Sequence, residues 1–361
     1  MLTIWVNRSY ATTHHVIALL RENPDHVSVR VVGTHADLSS PVLAACDEAE
    51  AEPGPEVAGE AYVAWALEFC ARHRVDVFVP RVHLNDLSAA RDLFAAAGVA
   101  LVAAPADAAA LVDDKQRAYE DAARAGLPVP PHRVVRDAEA LVAAFDSLAE
   151  EVGTVCLKPV TGVGGEGFRV LTRERARLTD FLAHPGVAAN VEEVAAAMER
   201  HHADGLDVPP MMLMPFLPGP EVSVDTLADR QGRVLAAVPR RKMGRAQELV
   251  EDLEATAVAA SIVGRHRLGF LTNTQVRYWR HPLLDSGPRP YLLETNARMS
   301  GGVHQSALSG VNLPWAAVQM ALGRPVTLDV PRFGARYTTV PQTVALQERR
   351  GPCRDQLLAH P

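Results

Sequence analysis

The order of predicted strands and helices indicates an α/β fold followed by an α+β fold. Two observations carry this prediction. Up to residue 104, short β-branched strands alternate with helical segments, which is typical of a parallel sheet covered by helices. Beyond residue 150, strands follow one another across short or glycine-rich turns, which is typical of hairpins. We therefore expect a parallel-sheet N-terminal domain and then two lobes built on mixed sheets.

The first part of the chain supplies the alternating elements. Strands are predicted at residues 3–6, 27–34, 75–80 and 99–104, and helices at 11–21, 61–73 and 87–98. Residues 105–150 are predicted to be mostly helical, and prolines in 126–132 interrupt them with an extended link. These residues lead into the second part of the chain.

The second part is rich in strands. A hairpin is predicted from 154–159 and 168–172, and helical stretches follow to about residue 202. Further strands are predicted at 211–217, 221–228, 233–240, 270–279 and 290–296, with one helix across 246–265. The expected domains are 1–104, 105–205, 206–330 and a tail at 331–361, to which the sequence assigns no role.

Composition excludes several classes of protein. The net charge of −7 argues against a general nucleic-acid binder, which would present a basic surface. The four cysteines are scattered and form no C-x-x-C pair, so neither a zinc site nor a disulfide framework is indicated. The first residues do not resemble a signal peptide, and no apolar run approaches the ~20 residues of a membrane span. We expect a cytoplasmic protein with no membrane or nucleic-acid partner.

A glycine-rich loop at Gly162–Gly167 has the spacing G-x-G-x-x-G. A dinucleotide fingerprint needs a helix after the glycines, but the residues that follow favour a strand. A P-loop is excluded because Phe168 and Arg169 stand where lysine and serine or threonine are required. Two interpretations remain. The loop is a flap over phosphates, assisted by Lys158 on the preceding strand, or it is an ordinary hairpin with a surface lysine.

Polar side chains near the end of the predicted sheet indicate a metal site. Glu294 and Asn296 share one face of a strand because they are two residues apart, and Arg298 shares it if the strand continues. Gln275 lies on a neighbouring predicted strand. Carboxylate and amide oxygens suit Mg²⁺ held together with phosphates, and an arginine suits a transferring phosphoryl group. The alternative is a solvated ion pair at a polar strand end.

With these motifs in order, residues 1–325 resemble the ATP-grasp superfamily, and within it the carbamoyl-phosphate synthetase large subunit and biotin carboxylase. The resemblance rests on Asp114-Lys115 before GLPVPPH, on Lys158 before the glycine flap, and on MPFLPGPEVSVD at 214–225. It implies a pre-ATP-grasp domain followed by a two-lobed ATP-grasp domain. It further implies the following roles: ATP binding by Lys115, Lys158, Gly162, Gly164, Gly165, Gly167, Phe216, Leu217 and Glu221; metal binding by Gln275, Glu294 and Asn296; and phosphate binding in catalysis by Arg298.

Two positions depart from the family pattern. Pro215 stands where a glutamate is usual, and Glu166 brings a negative charge into the flap. Substrate candidates outside the motifs are the basic run Arg240, Arg241 and Lys242, which could also be a solvated turn, and His304 beside the metal strand. Ser300, His14 and His15 are weaker candidates for a place near the cleft.

The resemblance implies a ligase that uses ATP and Mg²⁺, with Mn²⁺ as a substitute. It would convert a carboxylate to an acyl phosphate and pass the acyl group to an amine, so its partners would be small-molecule acids and amines. The alternatives are bicarbonate activation, as in a carboxylase or carbamoyl-phosphate synthetase, and a nucleotide-binding module without catalysis. Many enzymes of this kind are homodimers, so a homodimer is an open expectation.

Overall fold

The computed structural model describes residues 1–54, 56–162, 165–175, 187–284, 287–340 and 343. Its first sheet is parallel throughout, with the strand order β3-β2-β1-β4-β5. The strands are β1 (Leu2–Asn7), β2 (Val29–His35), β3 (Glu48–Ala51), β4 (Val77–Val79) and β5 (Ala100–Leu101). The helices of this region are α1 (Thr13–Arg21), α2 (Gly59–His73), α3 (Leu84–Ala89) and α4 (Arg91–Ala96), with a 3₁₀ helix at Pro41–Ala45.

Both faces of this sheet are buried, which explains its apolar strands. Ile4 belongs to the cluster that includes Ile17 of α1, whereas its neighbour Trp5 packs with Phe69 of α2. Trp5 also stacks on Phe78 of β4, with ring centroids 3.6 Å apart. Alternate residues of one strand therefore face opposite helical layers, and the predicted parallel α/β region is confirmed.

Two details of this region differ from the prediction. The sequence EAEA forms the edge strand β3, although its polar residues gave no strand signal. The helix predicted at 87–98 is divided into α3 and α4, and Ala90 is the cap residue of both. β3 is a strand because its backbone pairs in parallel with β2 at the sheet edge, and not because its side chains are buried.

The second sheet has the order β6-β10-β7-β8-β9. Its strands are β6 (Arg133–Val135), β7 (Val155–Pro159), β8 (Arg169–Thr172), β9 (Ala188–Asn190) and β10 (Met211–Pro215). Helices α5 (Ala106–Asp113) and α6 (Lys115–Arg124) precede it, and α7 (Ala138–Val152) and α8 (Val191–Ala203) pack on it. The predicted hairpin is confirmed, since β7 and β8 pair antiparallel.

The third sheet has six strands in the order β15-β14-β11-β12-β13-β16. They are β11 (Glu221–Ala228), β12 (Val234–Met243), β13 (Ala246–Leu249), β14 (Phe270–Trp279), β15 (Arg289–Asn296) and β16 (Arg336–Thr338). Helices α9 (Leu253–His266) and α10 (Leu313–Ala321) and a 3₁₀ helix at Val303–Ser309 complete the described elements. The α+β character of this part is confirmed.

The single helix predicted across 246–265 is wrong at its start. Residues 246–249 form β13, and α9 begins only after Asp252, whose carboxylate accepts the Ala255 N–H at 2.9 Å. Tyr278 donates to the same carboxylate at 2.7 Å and so fixes the helix start on β14. The tail also has a structural place, because β16 pairs with β13 at the sheet edge. The proposed domain boundaries stay predictions.

No helix in the described part of the chain is both long and apolar enough to cross a membrane.

Candidate functional site

A cleft of about 350 Å³ opens between the second and third sheets. Strands β7 and β10 form one wall, and β11, β14 and β15 form the other. Eight of the residues proposed from the sequence line it: Lys158, Gly165, Phe216, Leu217, Glu221, Lys242, Gln275 and Glu294. Residues far apart in the chain thus meet at one site, which no single motif could establish.

Lys158 lines this cleft, and Lys115 lies close to it. Lys158 donates to the carbonyl of Leu293 at 3.0 Å and to the Tyr119 hydroxyl at 3.1 Å. Lys115, only 7% exposed, donates to the carbonyl of Gly162 at 2.9 Å. Neither lysine has a carboxylate salt-bridge partner within the described residues. Two ammonium groups held by neutral acceptors form a site for an anion.

The pKa values of both lysines reflect this arrangement. Burial, together with the positive charge of Lys115, lowers the pKa of Lys158 to about 8, against the opposing effect of Glu294. Burial likewise lowers the pKa of Lys115, while Glu294 opposes the change. An anion with several charges, placed between the two lysines, would restore both pKa values.

The predicted metal residues lie on one face of β14 and β15. Gln275 is directly opposite Glu294 in the antiparallel register, and Asn296 follows two residues later. Asn296 donates to Glu294 at 3.1 Å and accepts from Arg298 at 3.2 Å. Gln275, Glu294 and Asn296 therefore share one face, as predicted, whereas β15 ends at Asn296 and Arg298 reaches this face only through its contact with Asn296.

This face suits a hard divalent cation. One carboxylate and two amide groups supply oxygen ligands, the type that Mg²⁺ prefers, and a metal with a single protein carboxylate needs further negative charge from phosphates. The two lysines next to Glu294 indicate where those phosphates would lie. The described parts of the chain contain no group of three or more histidine, cysteine or acidic residues that could hold a metal ion.

The opposite end of the cleft is apolar and flat. Phe216 donates its N–H to Thr154 at 2.8 Å, and Arg277 lies 5.6 Å from the Phe216 ring centre. The next N–H, that of Leu217, has no acceptor among the described residues, so it is free for a ligand. Gly219 allows this link to pass close to β14, because a Cβ there would lie 2.1 Å from the carbonyl oxygen of Tyr278.

Glu221 and Lys242 meet at the mouth of the cleft, where they form a salt bridge. Lys242 is exposed, whereas Glu221 is mostly buried. Pro215 also lines the cleft, at the end of β10. A nucleotide ribose bound by Glu221 would have to share that carboxylate with Lys242.

The glycine flap connects β7 and β8 above the cleft. Gly162, Gly165 and Gly167 have φ values of 121°, 76° and 70°, which side chains with a Cβ rarely adopt. Glu166 is exposed. Gly164 lies outside the described residues, so its predicted role stays a prediction.

The basic run at 240–242, predicted to be either a phosphate or carboxylate contact or a solvated turn, is part of β12, which extends to Met243. Alternation along the strand places Arg241 on the opposite face from Arg240 and Lys242. Arg240 is 4% exposed and pairs with Asp225 at 2.8 Å. Its remaining N–H groups donate to side chains of Gln247, Gln305, Ser223 and Ser300.

All five guanidinium N–H groups of Arg240 are thus occupied, so we propose it as a positioning residue in place of the expected phosphate or carboxylate contact. Its partner Asp225 also accepts from Asn273, Ser300 and Ser306. This network connects β14, through Asn273, to residues 298–306, a loop that includes the start of the 3₁₀ helix at Val303–Ser309.

His304 lies in the same loop and stacks on His15, with ring centres 4.6 Å apart. Burial, together with the neighbouring His15 and Arg240, lowers the pKa of His304 to about 4. His304 is therefore neutral near pH 7. Through His15 of α1, His304 links the N-terminal parallel-sheet region to this loop. A direct contact between His304 and substrate stays a prediction.

Sequence reasoning missed several residues of the site. Arg277 lies two residues beyond Gln275 on β14, so strand alternation could have identified it. Cys156 and Met214 line the cleft as apolar residues with no sequence signal. Tyr119 is fully buried and binds Lys158, but a helical tyrosine gave no indication of that contact.

Comparison with known proteins shows the fold of the chain. Residues 207–343 match the family model described as ATP-grasp in the biosynthetic pathway with Ter operon. No curated protein sequence matches the chain. Among solved structures, the chain resembles the biotin carboxylase domain of Hydrogenobacter thermophilus 2-oxoglutarate carboxylase, determined with MgADP and bicarbonate. That likeness has 18% identity and a TM-score of 0.62, and covers 92% of this chain and 73% of that one.

Two further structures are similar. Biotin carboxylase from Campylobacter jejuni has 19% identity and a TM-score of 0.61, with 91% of this chain and 73% of that chain covered. N5-carboxyaminoimidazole synthetase from Staphylococcus aureus has 13% identity and a TM-score of 0.60, with 91% and 80% covered. The protein has the ATP-grasp fold, as its sequence motifs predicted.

Proposed function

We propose that this protein is an ATP- and Mg²⁺-dependent ligase that joins a carboxylate to an amine through an acyl phosphate. The observation that carries the proposal is the meeting of Lys158 and Glu294 in a nucleotide-sized cleft, with Lys115 beside them. Similar structures were determined with MgADP or with an ATP ligand, which supports the nucleotide and the metal.

Different residues at the cleft would bind different parts of ATP. The ring of Phe216 and the free N–H of Leu217 would hold the adenine, and Glu221 would hold the ribose. Lys115 and Lys158 would neutralise the phosphates, with the glycine flap closing over them. Mg²⁺ held by Gln275, Glu294 and Asn296 would neutralise charge on the transferring phosphoryl group.

The chemistry requires charge neutralisation more than an acid or a base. A carboxylate oxygen attacks the γ-phosphorus, the new O–P bond forms, and the bond to the β-phosphate oxygen breaks to release ADP. The amine nitrogen then attacks the acyl carbon, the C–O bond to phosphate breaks, and the nitrogen loses a proton. Arg298, fixed by Asn296, would stabilise the moving group and the acyl phosphate.

Bicarbonate activation is the second candidate. It is supported by the similar biotin carboxylase domain, which was determined with bicarbonate. The same cleft could phosphorylate bicarbonate, because bicarbonate presents the same attacking oxygen. A homodimer is also proposed, since that similar domain is described as a dimer.

The two candidates separate in an assay of ADP release with paired panels of acids and amines, followed by mass spectrometry of the product. We expect ADP only when both an organic acid and an amine are present. ADP release with bicarbonate and a single co-substrate would select the second candidate. A protein that binds ADP but never turns over, with binding unchanged in Glu294→Ala, would be a nucleotide-binding module and would contradict both.

A further inference from the structure

The parallel sheet has a topological switch point next to the 298–306 loop. In the order β3-β2-β1-β4-β5, the chain moves one way from β1 and the other way from β4. Ligands of open α/β sheets bind outside the carboxyl ends of strands at such a point. Here Tyr10 follows β1 and Arg81 follows β4, so both lie beside it.

Two arginines flank the Tyr10 side chain. The guanidinium carbon of Arg81 is 3.7 Å from the centre of the Tyr10 ring. The guanidinium carbon of Arg298, just after β15 of the third sheet, is 6.0 Å from the same ring centre. Burial alone would raise the pKa of Tyr10, but the charges of Arg298 and Arg81 outweigh burial and lower it. The hydroxyl group therefore lies in a strongly positive environment.

Neither arginine is neutralised by a carboxylate of the described chain. Arg81 donates to the carbonyl of Arg8 at 2.8 Å, and its buried Nε has no partner. Arg298 donates to the carbonyl of Met299 and the amide oxygen of Asn296, and both arginines also approach the Tyr10 hydroxyl. Two buried acids of the surrounding region are already paired, Glu52 with Arg8 and Asp225 with Arg240. Two cations without a carboxylate partner among the described residues thus lie on either side of the crevice, and this arrangement suits an anion.

The two sides of the crevice are held together. The Thr12 hydroxyl donates to the carbonyl of Gly301 at 2.7 Å, and His15 stacks on His304. The crevice has only about 10 Å³ of free volume, so an anion would enter as the Tyr10 ring turns aside. Tyr10 would then respond directly to occupancy.

We propose that the acid substrate binds at this switch point, with a carboxylate or phosphate group held between Arg81 and Arg298. The proposal rests on the proposed function, because Arg298 also adjoins the metal residues through Asn296. By this proposal, the N-terminal parallel-sheet region is part of the substrate site, and Arg81 is a residue that binds substrate.

The test uses the full chain carrying tyrosine labelled with ¹³C at Cζ, with Tyr10→Phe to assign the Tyr10 NMR signal. Succinate and inorganic phosphate are titrated separately, with and without MgADP. We expect the Tyr10 signal to move to saturation with at least one probe, and the responding probe shows whether the substrate anion is a carboxylate or a phosphate. Arg81→Gln should weaken the response about tenfold or more, because a charge-assisted hydrogen bond is lost.

The controls separate this proposal from folding and from the proposed function. Arg298→Gln should weaken the response as Arg81→Gln does, although it alters the other side of the crevice. Arg72→Gln removes an exposed arginine of the same N-terminal parallel-sheet region as Arg81 and should leave the response unchanged. MgADP binding is measured in parallel by calorimetry, and its failure would count against the nucleotide site only. A Tyr10 signal that does not move, moves only at several hundred millimolar probe, or moves equally in Arg81→Gln would overturn the proposal.

Discussion

The substitution Lys158→Met separates nucleotide binding from stability. Lys158 would contact phosphate, and methionine keeps a similar length without the charge. A phosphate charge about 4 Å away, at an effective dielectric of about 20, interacts by up to ~4 kcal/mol before desolvation is counted. We therefore expect the affinity for ADP·Mg to fall about a hundredfold, and ADP formation to fall at least as far.

Stability should change little in the same variant. The lowering of the Lys158 pKa from 10.5 to about 8 corresponds to about 3 kcal/mol of cost for the charged form in the folded protein. Because this folded pKa is below the unfolded value, the cost is fully present below about pH 8 and fades as the pH rises toward 10.5. Methionine removes that cost but also removes two hydrogen bonds of about 1–2 kcal/mol each.

The loss of hydrogen bonds is softened because Tyr119 already donates to the Leu293 carbonyl at 2.9 Å. The free energy of unfolding in urea at pH 7 should therefore stay within about 1 kcal/mol of the wild type. Calorimetry with MgADP measures the affinity. Lys242→Met is the matched control, since Lys242 lines the same cleft but is exposed, and its effect should be about threefold. Wild-type affinity in Lys158→Met, or a loss of more than ~3 kcal/mol in stability, would refute this reasoning.

Three further results are expected. At about pH 8.5, MgADP binding should take up protons, because phosphates raise the lowered pKa of Lys158; equal heats in buffers of different ionisation enthalpy would contradict this. Glu294→Gln should lower ADP formation about a hundredfold and raise the Mg²⁺ concentration needed for turnover, and an unchanged Mg²⁺ titration would remove Glu294 from the metal site. Asp225→Asn should cost about 3–5 kcal/mol in urea unfolding, because it leaves Arg240 buried without its carboxylate, and a cost under ~1 kcal/mol would count against that pairing.

The sequence was informative where periodicity and polarity pointed the same way. Alternation along β14 and β15 placed Gln275, Glu294 and Asn296 on one face, and the register brings Gln275 opposite Glu294. The hairpin around the glycine flap was also readable, because no helical pattern follows Gly167. The lysines could be identified as candidate phosphate ligands because of their positions next to these elements.

Other features depend on contacts that no local pattern records. The strand β13 was predicted as helix because its four residues AQEL have good helical propensity, yet pairing with β12 and β16 overrides it. The basic run containing Arg240 was predicted to be either a phosphate or carboxylate contact or a solvated turn, but long-range contacts with Asp225 and Gln305 bury Arg240. Tyr10 and Arg81 meet only because β1 and β4 are neighbours in the sheet.

The most direct test of the central claim follows the oxygen atoms of the acid. An acid labelled with ¹⁸O in its carboxylate is incubated with ATP, Mg²⁺ and the amine that supports ADP release, and the phosphate is analysed by mass spectrometry. Transfer through an acyl phosphate predicts one ¹⁸O in each inorganic phosphate released with ADP. Ligated product accompanied by unlabelled phosphate, or by labelled AMP, would contradict the account.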